Sequence, residues 1–232
     1  MSERLDRIDT WVFDLDNTLY PADTAVMSQV ERKMTEYVMK LLDLDYETAK
    51  KTQKSYYADY GTTLNGLMKN HRVDMGDFLD FVHDVDHSVI TPDPELARHI
   101  AALEGRRLVY TNGSRKHAEK VIDQLGLNGL FEDLFDIEAS RFTPKPHREG
   151  FELFTGRFGL APGSSVMFED SVKNLETAAG MGFTTVLVHP AAGDGAAHPR
   201  AGHPDIHFAV ECLRTFLGEV HTSRRSRRHA AE

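Results

Sequence analysis

Trp11-Val12-Phe13-Asp14-Leu15-Asp16-Asn17-Thr18-Leu19-Tyr20 is the stretch that decides the fold, because here an apolar run stops at two carboxylates spaced one residue apart. A continuous apolar run fits a strand buried on both faces of a parallel sheet, and ligands bind such sheets beyond the carboxyl ends of their strands. Asp14 then sits at that end. Asn17 and Thr18 turn the chain sharply, so that Asp16 folds back over the same crevice. Two acids converging there suit a hard cation. Taken alone, the stretch fits an Asx-rich turn closing an ordinary strand equally well, and its meaning depends on what the rest of the chain brings to that edge.

Working outward, residues 21–90 read almost entirely as helix. Val26, Val30, Met34, Val38 and Leu41 recur at helical spacing, as do Phe78, Phe81, Val82 and Val85. Between them, Tyr60-Gly-Thr-Thr-Leu-Asn-Gly-Leu67 reads as a loop, or as a helix start capped by Thr62 or Thr63. Its composition suits either a substrate loop or an ordinary helix connection. Thr91-Pro92-Asp93-Pro94 ends the helical block. From there helix and strand alternate: helix 94–103, strand 107–111, helix 115–125, strand 135–138, helix 147–158, strand 165–169, helix 172–180, strand 184–188, and a weaker strand and helix at 206–217. This alternation predicts an α/β fold, a doubly wound parallel sheet with a small inserted α-helical cap. The expected division is a core of residues 1–20 and 91–220, a cap of 21–90, and a polar, aperiodic tail of 221–232 read as disordered.

Composition bounds the function. The chain has 232 residues, a formal net charge of -9 and a single cysteine, Cys212. The acidic balance argues against a nucleic-acid polymer as partner, and one cysteine excludes an intramolecular disulfide framework. With no apolar run of transmembrane or signal-peptide type, a cytoplasmic protein without membrane partners is expected. His83 and His87, four apart beside Asp84 and Asp86, read as a solvated helix face rather than a zinc clip. The histidine-containing stretch from His189 to His207 reads as a flexible loop.

Four polar clusters fall at matching places: Asp14 and Asp16 after the first strand, Thr111-Asn112-Gly113-Ser114 after the second, Lys145 in a loop, and Glu169-Asp170 after a later strand. All are expected along one sheet edge. The acids suit a magnesium ion, while Thr111, Lys145 and the loop amides offer donors to phosphate oxygens.

In this order, Asp14-Leu-Asp-Asn-Thr18, Thr111-Asn-Gly-Ser114, Lys145-Pro146 and Glu169-Asp-Ser-Val-Lys-Asn174 resemble the four motifs of the haloacid dehalogenase superfamily. The resemblance implies that fold, with a Rossmannoid core, and it implies roles. Asp14 becomes the nucleophile, Asp16 the general acid and base, Thr111 a phosphoryl ligand, and Lys145 the charge-neutralising lysine. Asp170 becomes a ligand of Mg2+, which Asp14 and the Asp16 backbone carbonyl also hold. Asn174 supports the metal shell, and Glu169 is either a second carboxylate ligand or an outer partner. Tyr20, the 60–67 segment, His71 and Phe78 through His83 look like the pyrimidine 5'-nucleotidase subfamily.

The resemblance thus implies a magnesium-dependent phosphatase acting on a small phosphorylated metabolite, a pyrimidine mononucleotide first of all, with Thr111, Asn112, Lys145 and Asn65 contacting substrate. Alternatives are another phosphate ester (a pyridine mononucleotide, a sugar phosphate, phosphoglycolate), a phosphomutase, or a noncatalytic phosphate-binding module. Dehalogenating relatives carry no acid at the second position, so Asp16 favours phosphate chemistry.

Overall fold

The structure is a computed structural model and describes residues 3–189 and 202–231. Six strands, β1 (Thr10–Phe13), β2 (Arg106–Tyr110), β3 (Asp133–Phe135), β4 (Ser165–Glu169), β5 (Thr184–Val188) and β6 (Phe208–Val210), form one sheet in the order β3-β2-β1-β4-β5-β6. Every neighbouring pair is parallel. The helices are α1 (Glu3–Asp6), α2 (Val26–Leu42), α3 (Tyr46–Tyr60), α4 (Thr63–Asn70), α5 (Met75–Val82), α6 (Pro94–Ala101), α7 (Arg115–Leu125), α8 (Arg148–Phe158), α9 (Val172–Gly180) and α10 (Leu213–Ala231). The expected α/β architecture is therefore observed. Among the described residues no helix is long and apolar enough to cross a membrane.

The unbroken apolar character of β1 follows from its place. Trp11 and Phe13 pack into a cluster with Leu96 and Ile100 of α6, Val121 of α7 and Leu217 of α10, while Val12 joins Phe151 and Phe154 of α8 and Leu175 of α9 on the opposite face. A strand covered on both sides has no position for a polar side chain until it ends. Phe13 stacks on Phe168 of β4 with ring centroids 4.7 Å apart. Phe13→Ala should therefore cost about 3–5 kcal/mol of stability by denaturant unfolding, and a loss under about 0.5 kcal/mol, typical of surface changes, would contradict this packing.

Helices α2 to α5 lie between β1 and β2 and share their own cluster of Val38, Ala49, Leu64, Leu67, Phe78, Leu79 and Val82, which rests on Ile137 of the core. The 60–67 stretch resolves as a helix start. Gly61, at φ 82°, follows α3, and the Thr62 side chain accepts a hydrogen bond from the Asn65 amide at 3.1 Å to cap α4. Gly66 is small for a packing reason, since a Cβ there would stand 2.3 Å from Cβ of Tyr56.

Three expectations change. The third strand ends at Phe135 rather than 138, because the Asp136 carboxylate accepts hydrogen bonds from the Glu138 and Ala139 amides at 2.9 and 2.8 Å and turns the chain. Helix α10 runs on through the segment expected to be a disordered tail; once Leu213, Phe216, Leu217 and Val220 are packed, each further residue of a nucleated helix adds at little cost. His83 and His87 do not share a helix face: α5 ends at Val82, and His87 opens a separate 3-10 turn after Asp86, which caps it. The loop expected between His189 and His207 lies mostly outside the described residues.

Candidate active site

The sheet order reverses at β1, with β2 on one side and β4 on the other, which opens a crevice at the carboxyl end of β1. Asp14 extends the ladder by one bond, its amide donating to the Phe168 carbonyl at 2.9 Å. Asn17 then adopts φ 62°, the left-handed conformation that asparagine tolerates better than most residues. The chain doubles back, and the Thr18 hydroxyl donates to Asp14 Oδ2 at 3.2 Å.

Lys145 is fully enclosed and reaches this carboxylate from the loop before α8. Its Nζ donates to Asp14 Oδ1 at 2.6 Å, to the Tyr110 carbonyl at 2.8 Å and to Glu169 Oε1 at 2.9 Å. Burial opposes the charge, yet Asp14 and Glu169 hold the ammonium protonated well above the ordinary lysine range. Asn112 fixes the loop by a two-point clamp: its Nδ2 donates to the Lys145 carbonyl at 3.0 Å, and its Oδ1 accepts from the Lys145 amide at 2.8 Å. Thr111, also buried, accepts at Oγ1 from the Gly113 amide at 2.9 Å.

Glu169 is committed on both oxygens. Oε1 accepts from Lys145 and from Asn174 Nδ2 (2.5 Å), and Oε2 accepts from the Ser171 amide (2.6 Å). This commitment favours the outer-partner role left open by the sequence. Asp14, Glu169 and Asp170 nonetheless bring one carboxylate oxygen each within 4.8 Å of one another. Burial and the Glu169 charge outweigh Lys145 and push Asp14 up to about 7; burial, then Glu169 and Asp14, push Asp170 up to about 9. Asn17 Nδ2 donates to Asp170 Oδ2 at 3.2 Å, while Oδ1 of the same amide is buried without a partner in the structure. Crowded carboxylates beside a spare amide oxygen fit a hard divalent cation, which would relieve the repulsion that raises both acids.

Asp16 stands apart from that cluster. Its Oδ1 accepts from the Tyr20 hydroxyl at 2.5 Å and lies 2.9 Å from His117 Nε2. Burial alone would raise its pKa, but the His117 and Tyr20 contacts hold it down to about 2. Beside it opens a mainly apolar pocket between cap and core, lined among others by Met34, Tyr57, Thr62, Phe78, Asn112 and Ile137.

The structure thus gathers Asp14, Asp16, Thr111, Asn112, Lys145, Glu169 and Asp170 at one sheet edge. Asn65 is the exception: its amide N–H serves the Thr62 cap, its side chain turns to the Tyr60 carbonyl at 3.5 Å, and it is not part of the pocket lining. Sequence reasoning missed His117 altogether and misread its neighbours. The His83 ring stacks on His117 at 4.5 Å, and burial, then His117, push it down to about 3; His87, expected at a solvated face, is buried and bonded to His117. The one available signal was the position of His117, three residues beyond Ser114, in the first turn of the helix that Ser114 caps.

Comparison with known proteins agrees with this geometry. The chain is 28% identical over 193 residues to Phosphate metabolism protein 8 of Saccharomyces cerevisiae, a match covering 75% of this chain and 60% of that protein's length. It is 27% identical over 192 residues to Glyceraldehyde 3-phosphate phosphatase of Methanocaldococcus jannaschii, covering 76% and 83%. The structure of L-2-haloacid dehalogenase from Xanthobacter autotrophicus superposes with a TM-score of 0.58 at 18% identity, over 92% of this chain and 98% of that one, a likeness of fold. The family model for haloacid dehalogenase-like hydrolases matches residues 8–182. With that match spanning most of its length, the chain belongs to the haloacid dehalogenase-like hydrolases.

Proposed function

We propose that this hydrolase is a magnesium-dependent phosphatase that cleaves a small phosphate monoester through an aspartyl phosphate on Asp14, with a pyrimidine 5'-mononucleotide as preferred substrate. The observation that carries the reading is the pairing of a buried Asp14, held by Lys145 at 2.6 Å, with a second acid, Asp16, at the wall of the pocket. Glyceraldehyde 3-phosphate phosphatase, a relative by sequence, acts on a phosphate ester by its name.

An Asp14 oxygen forms a bond to phosphorus as the bond to the ester oxygen breaks; Asp16, ionised while the site is empty, takes up a proton at Oδ2 as the phosphate anion closes on it and delivers that proton to the departing oxygen. Asp16 then takes a proton from the water that attacks phosphorus, which frees Asp14 and releases phosphate. Lys145 and Thr111 compensate charge on the phosphoryl oxygens. Asp14, Asp170 and the Asp16 backbone carbonyl would hold the magnesium ion, whose charge offsets the repulsion between carboxylate and phosphate.

The pocket argues for the leaving group. Its walls are chiefly apolar, and Tyr57, which lines it, is 63% exposed and so presents a ring that a base can stack upon. Hydroxyls buried against such walls would go unpartnered, so the walls suit the flat face of a base, with the ribose hydroxyls and the polar edge of the base turned to the pocket mouth. Stacking on one aromatic ring contributes about 1–3 kcal/mol per base, so Tyr57→Ala should lower kcat/KM for uridine monophosphate roughly tenfold and leave 4-nitrophenyl phosphate nearly unchanged. Wild type should prefer uridine monophosphate over both adenosine monophosphate and glyceraldehyde 3-phosphate. A preference for the purine overturns the pyrimidine assignment, and a preference for the triose phosphate overturns the nucleotide reading.

A further inference from the structure

A chain of imidazoles joins Asp16 to the segment that returns from the cap. His117 Nε2 lies 2.9 Å from Asp16 Oδ1, and its Nδ1 lies 3.0 Å from His87 Nε2. His83, at the end of α5, stacks on His117 with ring planes 19° apart and bonds the Ser114 hydroxyl at 3.0 Å, the same hydroxyl that caps α7 over the His117 amide. His117 is 1% exposed and His87 8% exposed, so these are built contacts rather than surface encounters. His87 is fixed in turn by its neighbour: the Asp86 amide donates to Gln29 Oε1 at 3.0 Å and the Asp86 carbonyl accepts from Gln29 Nε2 at 3.2 Å, which ties the returning segment to α2. On the outgoing segment, Tyr20 donates to the same Asp16 oxygen at 2.5 Å. Both connections between core and cap therefore converge on Asp16 Oδ1. Oδ2 lies on the Gly113 side, 3.7 Å from where a Cβ on that glycine would stand.

We infer that His117, held by His87, is a positioning residue for Asp16: it anchors Oδ1 so that Oδ2 faces the leaving oxygen, and it makes that orientation depend on the seating of the cap. Resting as it does on the proposed role of Asp16 as the acid, the inference gives His117 no contact with substrate. Asp16 is also the base of the water step, where its misplacement acts alike for every ester; only the effect on the acid step depends on the leaving group. In that first step, loss of the anchor penalises esters whose leaving oxygen needs a proton and spares those that depart as stable anions.

The test compares His117→Ala, His117→Gln, His87→Ala and Asp16→Asn on a poor leaving group, glycerol phosphate, and a good one, 4-nitrophenyl phosphate, with magnesium saturating, by the rate at which the leaving alcohol is released in the first turnover, which isolates the acid step from the water step. Misplacing a catalytic group by about 1 Å costs on the order of 10²-fold. His117→Ala should therefore lose about that factor in the saturating first-turnover rate on glycerol phosphate with KM unchanged, and far less on the nitrophenyl ester. His117→Gln, whose amide reaches the Nε2 position, should recover most of the loss, and His87→Ala, which does not touch Asp16, should show a weaker loss of the same pattern. Equal first-turnover loss on both esters, a change confined to KM, or no rescue by Gln overturns the inference. Asp16→Asn separates the two claims: leaving-group dependence there but not in His117→Ala sinks the positioning role alone, whereas its absence in Asp16→Asn sinks the acid reading and this inference with it. Should His117→Ala fail to fold by thermal melt, His117→Gln and His87→Ala still decide, since wild-type behaviour of His87→Ala contradicts the chain.

Discussion

Asp14→Asn should lose at least about 10⁴-fold in kcat on every ester, because in the proposed mechanism the Asp14 carboxylate supplies the attacking oxygen. The fold should survive. Asparagine keeps the volume, Lys145 Nζ retains the Tyr110 carbonyl at 2.8 Å and Glu169 at 2.9 Å, and a carboxylate that burial and Glu169 push up to about 7 is replaced by a neutral group. A variant that melts like wild type and has lost turnover places the effect in chemistry. Turnover within tenfold of wild type would mean that another group attacks phosphorus.

Removing the metal should have the second-largest effect. A bound cation contributes several kcal/mol of charge stabilisation in such reactions, and at about 1.4 kcal/mol per tenfold that corresponds to roughly 10³-fold in rate. Excess chelator should slow hydrolysis by about that factor, magnesium should restore it, and Asp170→Asn should not be restored by ordinary magnesium concentrations. Stability gives an independent readout. The Asp170 carboxyl is pushed up to about 9 in the fold by burial and then by Glu169 and Asp14, against about 3.9 in an unfolded chain. A raised acid contributes stability that is complete below the unfolded value and is lost as pH rises through the folded one. The metal-free protein should therefore lose thermal stability between about pH 4 and pH 9, and Asp170→Asn should melt higher than wild type at pH 8 in chelator. Magnesium should raise the melting temperature of wild type and not of the variant. The reverse order would show that Asp170 is already compensated without a cation.

What was legible in the sequence was whatever lies contiguously at strand ends. Trp11 through Asp16 announces both a strand covered on two faces and its ligand edge, and Lys145, Glu169 and Asp170 each fall just where a strand or loop meets that edge. Asn112 was placed at the site, but its geometry as a clamp on the Lys145 backbone depends on a loop 33 residues away. The Asp16 environment was hidden for the same reason: His117 is 101 residues from Asp16, and His87 is 30 from His117. Two histidines four apart suggest one helix face only if the helix continues, and here α5 stops between Val82 and His83. Asn65 misled in the other direction, since its polarity is spent on local helix geometry at Thr62 and Tyr60. The tail misled because polar composition does not reveal a helix that grows from packed Leu217 and Val220.

The claim on which the account depends is that phosphate passes through Asp14, and trapping tests it most directly. Protein turning over a phosphate ester with magnesium is quenched with borohydride, which reduces an acyl phosphate to the alcohol, and the peptide containing residue 14 is read by mass spectrometry. Homoserine is expected at position 14, dependent on substrate and magnesium and enriched in Asp16→Asn with a good leaving group, where the water step is slowed. Steady turnover with Asp14 unmodified, or reduction at a different carboxylate, would contradict it.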